Sequence, residues 1–387
     1  MTGSFLLLAT TIGSALLIGF IPALLGRLRP ALAAGLEIPE PALDRLKTGY
    51  SLSLIPLMLC AGWAVDHWGD KEVLFAGNLL AALGIAALGM RPSFHSLIWV
   101  VLTLGAAVSC LTCAALTLMP VAFWGVPADP TEVAERAASL NLGFIAVGLG
   151  SLVLPPLTEV ALKRIGLRQC LLVVAFLCLL PATFTVFTAR SEIPEHPPSA
   201  NPSAILAEPV LWLACLVMFF YYPLEGSLHT WVKSYLANLG YDEINIARWH
   251  AAFWGIFLAA RLAAGLYLDP RYEAWVIFFL VLTSAITLGN LAGAYGQRSA
   301  RELLLVGALL GSILPTFLGV VLSQFPKAQG TALGIMFSLG SASNLLVQPM
   351  LARFSRGHSV QVTIRVPLAL ALAVAVPCLI LALALAR

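Results

Sequence analysis

The sequence predicts an all-α membrane protein with twelve transmembrane helices in two six-helix bundles. Three observations lead to this prediction. The chain is 60% hydrophobic and 11% charged, with a mean hydropathy of +0.92, whereas soluble domains carry about 25% charged residues. Its apolar segments reach the ~20 residues that a helix needs to cross a bilayer. A polar, proline-rich stretch divides these segments into two sets of six.

The first six apolar segments fill the N-terminal part of the chain. Their residues are uniformly apolar, whereas membrane β-strands alternate apolar and polar positions over about 10 residues. A helix satisfies its own main-chain hydrogen bonds inside the bilayer, so each segment is predicted to be helical. The six helices are placed at residues 5–26, 48–65, 73–90, 95–124, 138–161 and 168–189.

A polar stretch separates these segments from the remaining six. Residues 190–209 are rich in proline, lack an apolar period and form the predicted cytoplasmic linker. The bundles on either side are predicted to be domains of residues 1–189 and 210–387. Two equal bundles around a central path are typical of many secondary transporters. The last six helices are placed at residues 210–233, 246–268, 273–295, 302–324, 329–351 and 363–386.

The two halves share a short motif after their second helices. Each copy is a glycine, three further residues and an aspartate, followed within a short loop by a basic residue. The glycine allows close helix packing, and the aspartate can pair with a cation or with a helix N-terminus. The motif residues are Gly62, Asp66, Gly69 and Lys71 in the first half, and Gly265, Asp269 and Arg271 in the second.

The first copy resembles the loop motif of the major facilitator superfamily, which lies between the second and third helices. The resemblance implies the major facilitator fold, which works by alternating access, and a gate at the motif residues. It also implies a multi-pass protein of the bacterial inner (plasma) membrane with both termini cytoplasmic. That orientation puts most Lys and Arg residues on the outer side, against the positive-inside rule. We nevertheless place both motif loops on the cytoplasmic side, because the two copies of the motif indicate the same orientation.

Two further stretches and a tripeptide resemble the seventh, eighth and tenth helices of the fucose permease-like sugar transporters. Glu225 matches the acidic position that is common in that group. The resemblance implies a sugar or a similar small polar solute as the substrate, with proton symport as a hypothesis. The matching residues are Tyr222, Glu225, Trp231 and Tyr235, then Phe253, Trp254, Gly255 and Arg261, and finally Leu314, Pro315 and Thr316.

Glu225 is the first candidate ligand, because it is the acid placed deepest in an apolar segment. A carboxylate at such a depth is costly unless it faces water or a partner. We expect it to bind substrate or a proton in the central path. The alternative is a structural acid that pairs with His229 or Lys233 on the same helix.

Arg261 lies toward the end of the predicted eighth helix, close in sequence to Asp269. We expect it to form a gate ion pair with Asp269 or with Asp66. The alternative is direct contact with an anionic substrate. Asp66 and Lys71 are likewise interpreted as gate and packing residues.

Polar side chains follow one face of the predicted eleventh helix, where Asn344 and Gln348 lie one turn apart. Amides provide donors and acceptors for the hydroxyls of a neutral polyol, and aromatic rings can cover its apolar face. The residues expected to line the path are Asn344, Gln348, Tyr221 and Trp254, with Asn141 of the fifth helix as a weaker candidate. Trp231 and Tyr235 are expected to be interface anchors at the outer end of their helix.

No motif for nucleotide binding, hydrolysis or metal coordination occurs in the sequence. We therefore expect no enzymatic activity, no cofactor, no metal and no nucleic-acid partner. The expected partners are a small-molecule substrate, protons under the symport hypothesis and the lipid bilayer, with the chain acting as a monomer. Two alternatives remain open: an exporter of amphipathic or drug-like compounds, and an organic-anion carrier that binds the anion through Arg261.

Overall fold

The computed structural model describes residues 5–27, 29–30, 33, 40–90, 93–126, 136–188, 202–293 and 297–385. Twelve helices in these ranges are long and apolar enough to cross a membrane. The prediction of an all-α membrane protein with twelve transmembrane helices is therefore confirmed. We number these spans α1 to α12 in chain order.

The first six spans follow the predicted order, with two differences. α2 begins earlier than predicted, at Glu40, and α5 is interrupted at Val153. Pro155 and Pro156 follow the interruption, and neither can donate a main-chain hydrogen bond to the preceding turn. The bounds are Phe5–Arg27 (α1), Glu40–Trp68 (α2), Asp70–Gly89 (α3), Phe94–Trp124 (α4), Arg136–Leu152 with Leu154–Ile165 (α5) and Leu167–Phe187 (α6).

The last six spans also keep the predicted order. α7 and α11 continue beyond their predicted ends, to Asn238 and Gly357, and α10 is interrupted at Ser312. The bounds are Pro209–Asn238 (α7), Glu243–Tyr267 (α8), Glu273–Leu291 (α9), Gln297–Gly311 with Ile313–Leu322 (α10), Gln329–Gly357 (α11) and Arg365–Leu385 (α12).

The segment between α6 and α7 was predicted to be a polar, proline-rich linker. Within it, Pro202–Ala207 forms a short helix directly before α7. Leu211 N–H donates to the Glu208 carbonyl at the junction, so α7 starts as a new helix. Residues 190–201 of the predicted linker lie outside the described ranges.

The same packing plan occurs in both halves. α3 packs against α4 and α6, α1 packs against α5, and α2 packs against α4. The counterparts six spans later pack in the same way: α9 against α10 and α12, α7 against α11, and α8 against α10. Repetition of this kind is the arrangement of parallel repeats in transporter folds.

Packing between the halves is concentrated in three helix pairs: α2 with α11, α5 with α8, and α5 with α10. Glycines let the main chains touch. A Cβ atom on Gly62 of α2 would lie 2.2 Å from the carbonyl oxygen of Gly330 in α11. One on Gly319 of α10 would lie 2.5 Å from the Cα of Ala137 in α5. The halves are therefore closed against each other at the end of α2 that carries Asp66, which we call the motif end.

Candidate functional site

Glu225 and Arg261 form an ion pair between α7 and α8. The Nη2 atom of Arg261 lies 3.6 Å from Oε1 of Glu225. The Arg261 side chain is 4% exposed and the Glu225 side chain is 20% exposed. The carboxylate, rather than the guanidinium, is therefore the group that a ligand can reach.

Arg261 is held by three helices and two aromatic rings. Its Nε donates to the carbonyl of Gly311 at 2.8 Å, and its Nη1 donates to the carbonyl of Phe144 at 2.9 Å. The guanidinium carbon lies 4.6 Å from the ring centre of Phe257 and 5.2 Å from that of Phe144. Cation–π contacts and charge-assisted hydrogen bonds together stabilise a buried guanidinium. Arg261 therefore connects α8 of the second half to α5 of the first.

The interruption in α10 explains why a main-chain carbonyl is available to Arg261. Pro315 has no N–H to donate to the carbonyl of Gly311, four residues earlier. Arg261 supplies the missing donor. The neighbouring carbonyl of Leu310 accepts a hydrogen bond of 2.8 Å from the Tyr221 hydroxyl. Pro315 of the Leu-Pro-Thr tripeptide thus leaves the Gly311 carbonyl open for Arg261.

A second proline has the same effect in α7. Pro223 cannot donate to the carbonyl of Phe219, and the hydroxyl of Ser343 in α11 donates to that carbonyl instead. The carbonyl of Pro223 itself accepts from Nε2 of Gln348 at 3.2 Å. These bonds attach α11 to α7 immediately before Glu225.

Asn344 and Gln348 lie against Gly226, next to Glu225. A Cβ atom on Gly226 would lie 3.0 Å from Oδ1 of Asn344 and 3.1 Å from Nε2 of Gln348, so the glycine makes room for both amides. The Oδ1 atom of Asn344 is buried and has no hydrogen-bond partner in the described part of the chain. An unpaired buried acceptor costs about 1–3 kcal/mol, so a donor from a ligand would be favourable there.

Tyr221 and Trp254, two of the expected path residues, are almost fully buried, at 1% and 5% exposure. The Tyr221 hydroxyl is used by Leu310, as described above. The indole N–H of Trp254 donates to Nε2 of His250 at 3.0 Å. Both polar groups therefore have protein partners on their own half of the molecule.

Asn141 is fully buried between α5 and α10. Its Nδ2 donates to the carbonyl of Ala137 and to Oγ1 of Thr316, both at 2.8 Å. The bond to Thr316 joins the two halves. Asn141 therefore lies in the closed interface, one turn from Phe144 and the Arg261 contact.

Asp66 binds the N-terminus of a helix in the other half. Its Oδ1 accepts from the Gly330 N–H at 2.8 Å, and its Oδ2 accepts from the Thr331 N–H at 2.7 Å. These amides belong to the first turn of α11 and have no partner within the helix. A carboxylate there is also favoured by the helix dipole. The first motif therefore closes the interface between α2 and α11.

Lys71 and Gly69 serve the first half alone. The Nζ of Lys71 donates to the carbonyl of Thr188, which follows the last turn of α6. Gly69 has a φ of 102°, in the region that favours glycine, and forms the turn between α2 and α3. Asp70, next in the chain, accepts a hydrogen bond from the Thr117 hydroxyl of α4.

The aspartate of the second motif copy makes different contacts from Asp66. Asp269 accepts from the main-chain N–H and the guanidinium of Arg271, 2.9 Å from its Nη2, and these bonds hold the pKa of the Asp269 carboxyl below its usual range. Gly265 packs against the first half, where an added Cβ would lie 2.8 Å from Leu142 Cγ. The glycine thus contributes to the closed interface, while the aspartate stays in its own loop.

Three sequence-based expectations about pairing and position are wrong. Arg261 pairs with Glu225, rather than with Asp269 or Asp66, because the freed carbonyl of Gly311 draws it toward α7 and α10. Trp231 and Tyr235 are buried instead of anchoring at the membrane interface. The Tyr235 hydroxyl donates to the carbonyl of Leu291, and its ring stacks on Trp231 at 4.6 Å.

The carbonyls that bind Arg261, and the particular helix N-terminus that Asp66 binds, could not be identified from the sequence, because these groups are main-chain atoms. The Phe144 carbonyl and the Gly330 and Thr331 amides carry no signal in residue type. Pro315 is the exception, since a proline inside a membrane helix always leaves a carbonyl without its usual donor.

Comparison with protein families supports the fold. The family model described as Major Facilitator Superfamily matches residues 3–348. No protein with a curated description matches the sequence significantly.

Solved structures with a similar fold belong to several kinds of transporter. FucP in the outward conformation is 15% identical, with a TM-score of 0.78 over 97% of this chain and 98% of that chain. The human organic anion transporter MFSD10 (TETRAN) is 15% identical, with a TM-score of 0.73 over 97% and 99%. The proton:xylose symporter XylE, bound to 6-bromo-6-deoxy-D-glucose, is 14% identical, with a TM-score of 0.73 over 96% and 94%. At these identities the similarity shows a shared fold.

Proposed function

Because the chain belongs to the major facilitator superfamily, we propose that it is a secondary transporter of a sugar or a similar small polyhydroxylated solute. Transport would proceed by alternating access between the two halves. The observation that carries the proposal is the partly exposed Glu225 carboxylate beside the buried Arg261. Glu225 is the proposed substrate ligand, and Asn344 and Gln348 are proposed to flank it.

The polar atoms around Glu225 favour a substrate with hydroxyl groups. The Glu225 carboxylate and the Oδ1 of Asn344 are both acceptors, and the latter has no donor among the described residues. A polyol brings several O–H donors on neighbouring carbons and can serve both acceptors at once. Buried acceptors left without donors also discriminate against analogues that lack the hydroxyls.

The surroundings of Arg261 favour a neutral substrate over an organic anion. Each of its three nitrogens already has a partner: Gly311, Phe144 or Glu225. An anionic substrate would have to displace Glu225 or break a buried bond to a carbonyl. Among the structurally similar proteins, XylE is a proton:xylose symporter and MFSD10 an organic anion transporter. We propose that this chain is a proton:sugar symporter, as XylE is, rather than an organic anion transporter.

We also propose that Glu225 carries the coupling proton. Protonation would neutralise the carboxylate and weaken its attraction to Arg261, which also holds Phe144 of the other half. The charge on Glu225 would thereby influence the interface between the halves. This gives a physical link between proton binding and conformational change.

In this proposal, residues 1–189 and 210–387 are the two moving domains, joined by the linker 190–209. The motif end faces the cytoplasm, as do both termini, in a bacterial inner membrane. Closure at the motif end then corresponds to an outward-facing state. One chain is sufficient for transport, because both members of the Glu225–Arg261 pair belong to it.

The first test is thermal stabilisation of the detergent-purified protein by fucose, xylose, glucose, mannitol, organic anions and amphipathic cations. A ligand that binds the folded state raises its apparent stability by mass action. We expect stabilisation by at least one sugar or polyol. Stabilisation by organic anions alone would replace this proposal with the anion carrier, and stabilisation by amphipathic cations alone would favour the exporter.

The second test uses Glu225→Gln with Glu243→Gln as the matched control. Glu243 is an exposed acid in the first turn of α8. We expect Glu225→Gln to abolish sugar stabilisation and proton-driven uptake into proteoliposomes, and Glu243→Gln to leave both intact. If Glu225→Gln kept binding but lost its response to pH, Glu225 would be a proton site alone. Unchanged transport and pH response would reject both roles.

A further inference from the structure

The ligands proposed so far all belong to the second half. Glu225 lies in α7, and Asn344 and Gln348 lie in α11. A solute held by one half alone could not draw the other half over itself. Alternating access requires that the bound substrate interacts differently with the two halves in the open and closed states.

Tyr50 of α2 is a first-half residue with an unusual polar group. Its side chain is 8% exposed, and its hydroxyl is buried without a hydrogen-bond partner in the part of the chain that the structure describes. The main chain at Tyr50 is occupied, since its carbonyl accepts from the Ser53 hydroxyl at 2.8 Å. The phenol oxygen is therefore the unused group at this position.

Packing along α11 relates Tyr50 to the Glu225 site. α11 packs against α2 of the first half and against α7 of the second. Ser338 of α11 donates to the carbonyl of Ile55 in α2 at 2.8 Å, five residues after Tyr50. Tyr222, one turn before Glu225 in α7, contacts α11 at the residue before Ser338. The Tyr222 ring is held in place by an edge contact with Phe337, at 6.1 Å between ring centres. Tyr50 thus lies in the first-half helix that packs on α11 beside the Tyr222–Glu225 segment of α7.

A buried phenol without a partner lacks both a donor and an acceptor for its hydroxyl group. Leaving such a group unpaired is unfavourable, and tyrosine hydroxyls in protein interiors usually find a partner. A substrate hydroxyl could either donate a hydrogen bond to the Tyr50 hydroxyl or accept one from it. An apolar ligand would leave the Tyr50 hydroxyl unpaired.

We propose that Tyr50 is the first-half ligand of the substrate, with its hydroxyl bonded to one hydroxyl of the polyol that Glu225 holds from the second half. This inference rests on the proposed function. The substrate would then bridge α2 and α7. Its binding would favour approach of the halves at the end opposite the motif end, which is the movement that encloses it.

The test compares Tyr50→Phe with the matched control Tyr235→Phe. The Tyr235 hydroxyl already donates to the carbonyl of Leu291. We expect Tyr50→Phe to keep the stability of the ligand-free protein and to lower the affinity for the stabilising sugar about three- to tenfold, the effect of one uncharged hydrogen bond. Tyr235→Phe should do the opposite, with lower stability and unchanged affinity. Fucose, xylose, glucose and mannitol are the probes.

A second measurement follows the proposed bridging directly. Cysteines replace Arg45 in α2 and Glu243 in α8, both exposed, in a background with Cys60→Ser, because Cys60 is the exposed cysteine among those described. Spin labels on this pair should approach each other when sugar binds. The same labels in a protein that also carries Tyr50→Phe should show a smaller change at equal sugar occupancy.

The outcomes separate this inference from the function on which it rests. Wild-type affinity in Tyr50→Phe would overturn the inference and leave the sugar site at Glu225 standing. A loss of ligand-free stability as large as that of Tyr235→Phe would show that the hydroxyl has a protein partner, which also overturns it. No response of the wild-type protein to any of the four probes would overturn the inference and the proposed function together.

Discussion

Arg261 donates a hydrogen bond of 2.9 Å to the main-chain carbonyl of Phe144, in the other half of the chain. Arg261 is also the ion-pair partner of Glu225. A single side chain therefore contacts both the carboxylate that is proposed to bind the substrate and the opposite half of the chain. Any change in the charge of Glu225 acts on a group that helps to hold the halves together. This relationship motivates the first prediction.

Replacing Arg261 with Gln should be more harmful than replacing Arg261 and Glu225 together. Arg261→Gln leaves a largely buried carboxylate without its partner, and breaking a buried pair on one side typically costs about 3–5 kcal/mol. Part of this cost is recovered when Glu225→Gln is added. Apparent melting temperatures of the two single variants and the double variant measure the effect. A double variant less stable than Arg261→Gln would contradict the pairing.

Asp66→Asn should weaken closure at the motif end. Asn has one acceptor oxygen where Asp66 has two, and it lacks the charge that favours the N-terminus of α11. We expect a loss of about 1–2 kcal/mol from the closed arrangement. Labelling of a cysteine placed at Ala138, buried against Gly265, should become faster in this variant.

Asp269→Asn is the matched control for Asp66→Asn. Asp269 pairs with the exposed Arg271 in its own loop, and exposed ion pairs contribute little to stability. The labelling rate at the motif end should therefore stay at the wild-type value. Equal acceleration by both variants would mean that the charge itself, rather than the cap on α11, controls closure.

Alanine at either of the two interface glycines should open the motif end. An added Cβ on Gly62 would overlap the Gly330 carbonyl, and one on Gly319 would overlap the main chain of Ala137. Because these neighbours are main-chain atoms, the helices themselves must separate. Gly255→Ala in α8 is the control, since no atom of the described residues lies within 4 Å of the added Cβ. Labelling should accelerate in the first two variants and remain unchanged in the third.

Tyr221→Phe should lower the stability of the second half without removing a substrate ligand. It eliminates the hydrogen bond to Leu310 beside the interruption of α10, a loss of about 1 kcal/mol. Tyr267→Phe, at an 83% exposed position, should have no measurable effect. Sugar affinity in Tyr221→Phe should remain within about twofold of wild type. A larger loss of affinity would show that Tyr221 contacts the substrate.

Parts of the candidate site are visible in the residue types. A carboxylate, two amides and a proline inside apolar segments are conspicuous, and Asn344 and Gln348 lie against Gly226, the residue after Glu225. The partners of the charged groups could not be predicted in this way. Arg261 was expected at a gate aspartate close in sequence, but it lies between two main-chain carbonyls and Glu225.

The sequence by itself determined the membrane class, the twelve spans and their order. Whether a segment can cross the bilayer depends on its own length and apolarity, which are local properties of the sequence. Only the tertiary structure decided which groups meet. Asp66 finds its partner 264 residues away at Gly330, and Arg261 binds carbonyls that every residue possesses. Which of these identical groups is left without a donor depends on where prolines interrupt a helix and on which distant helix packs against the gap.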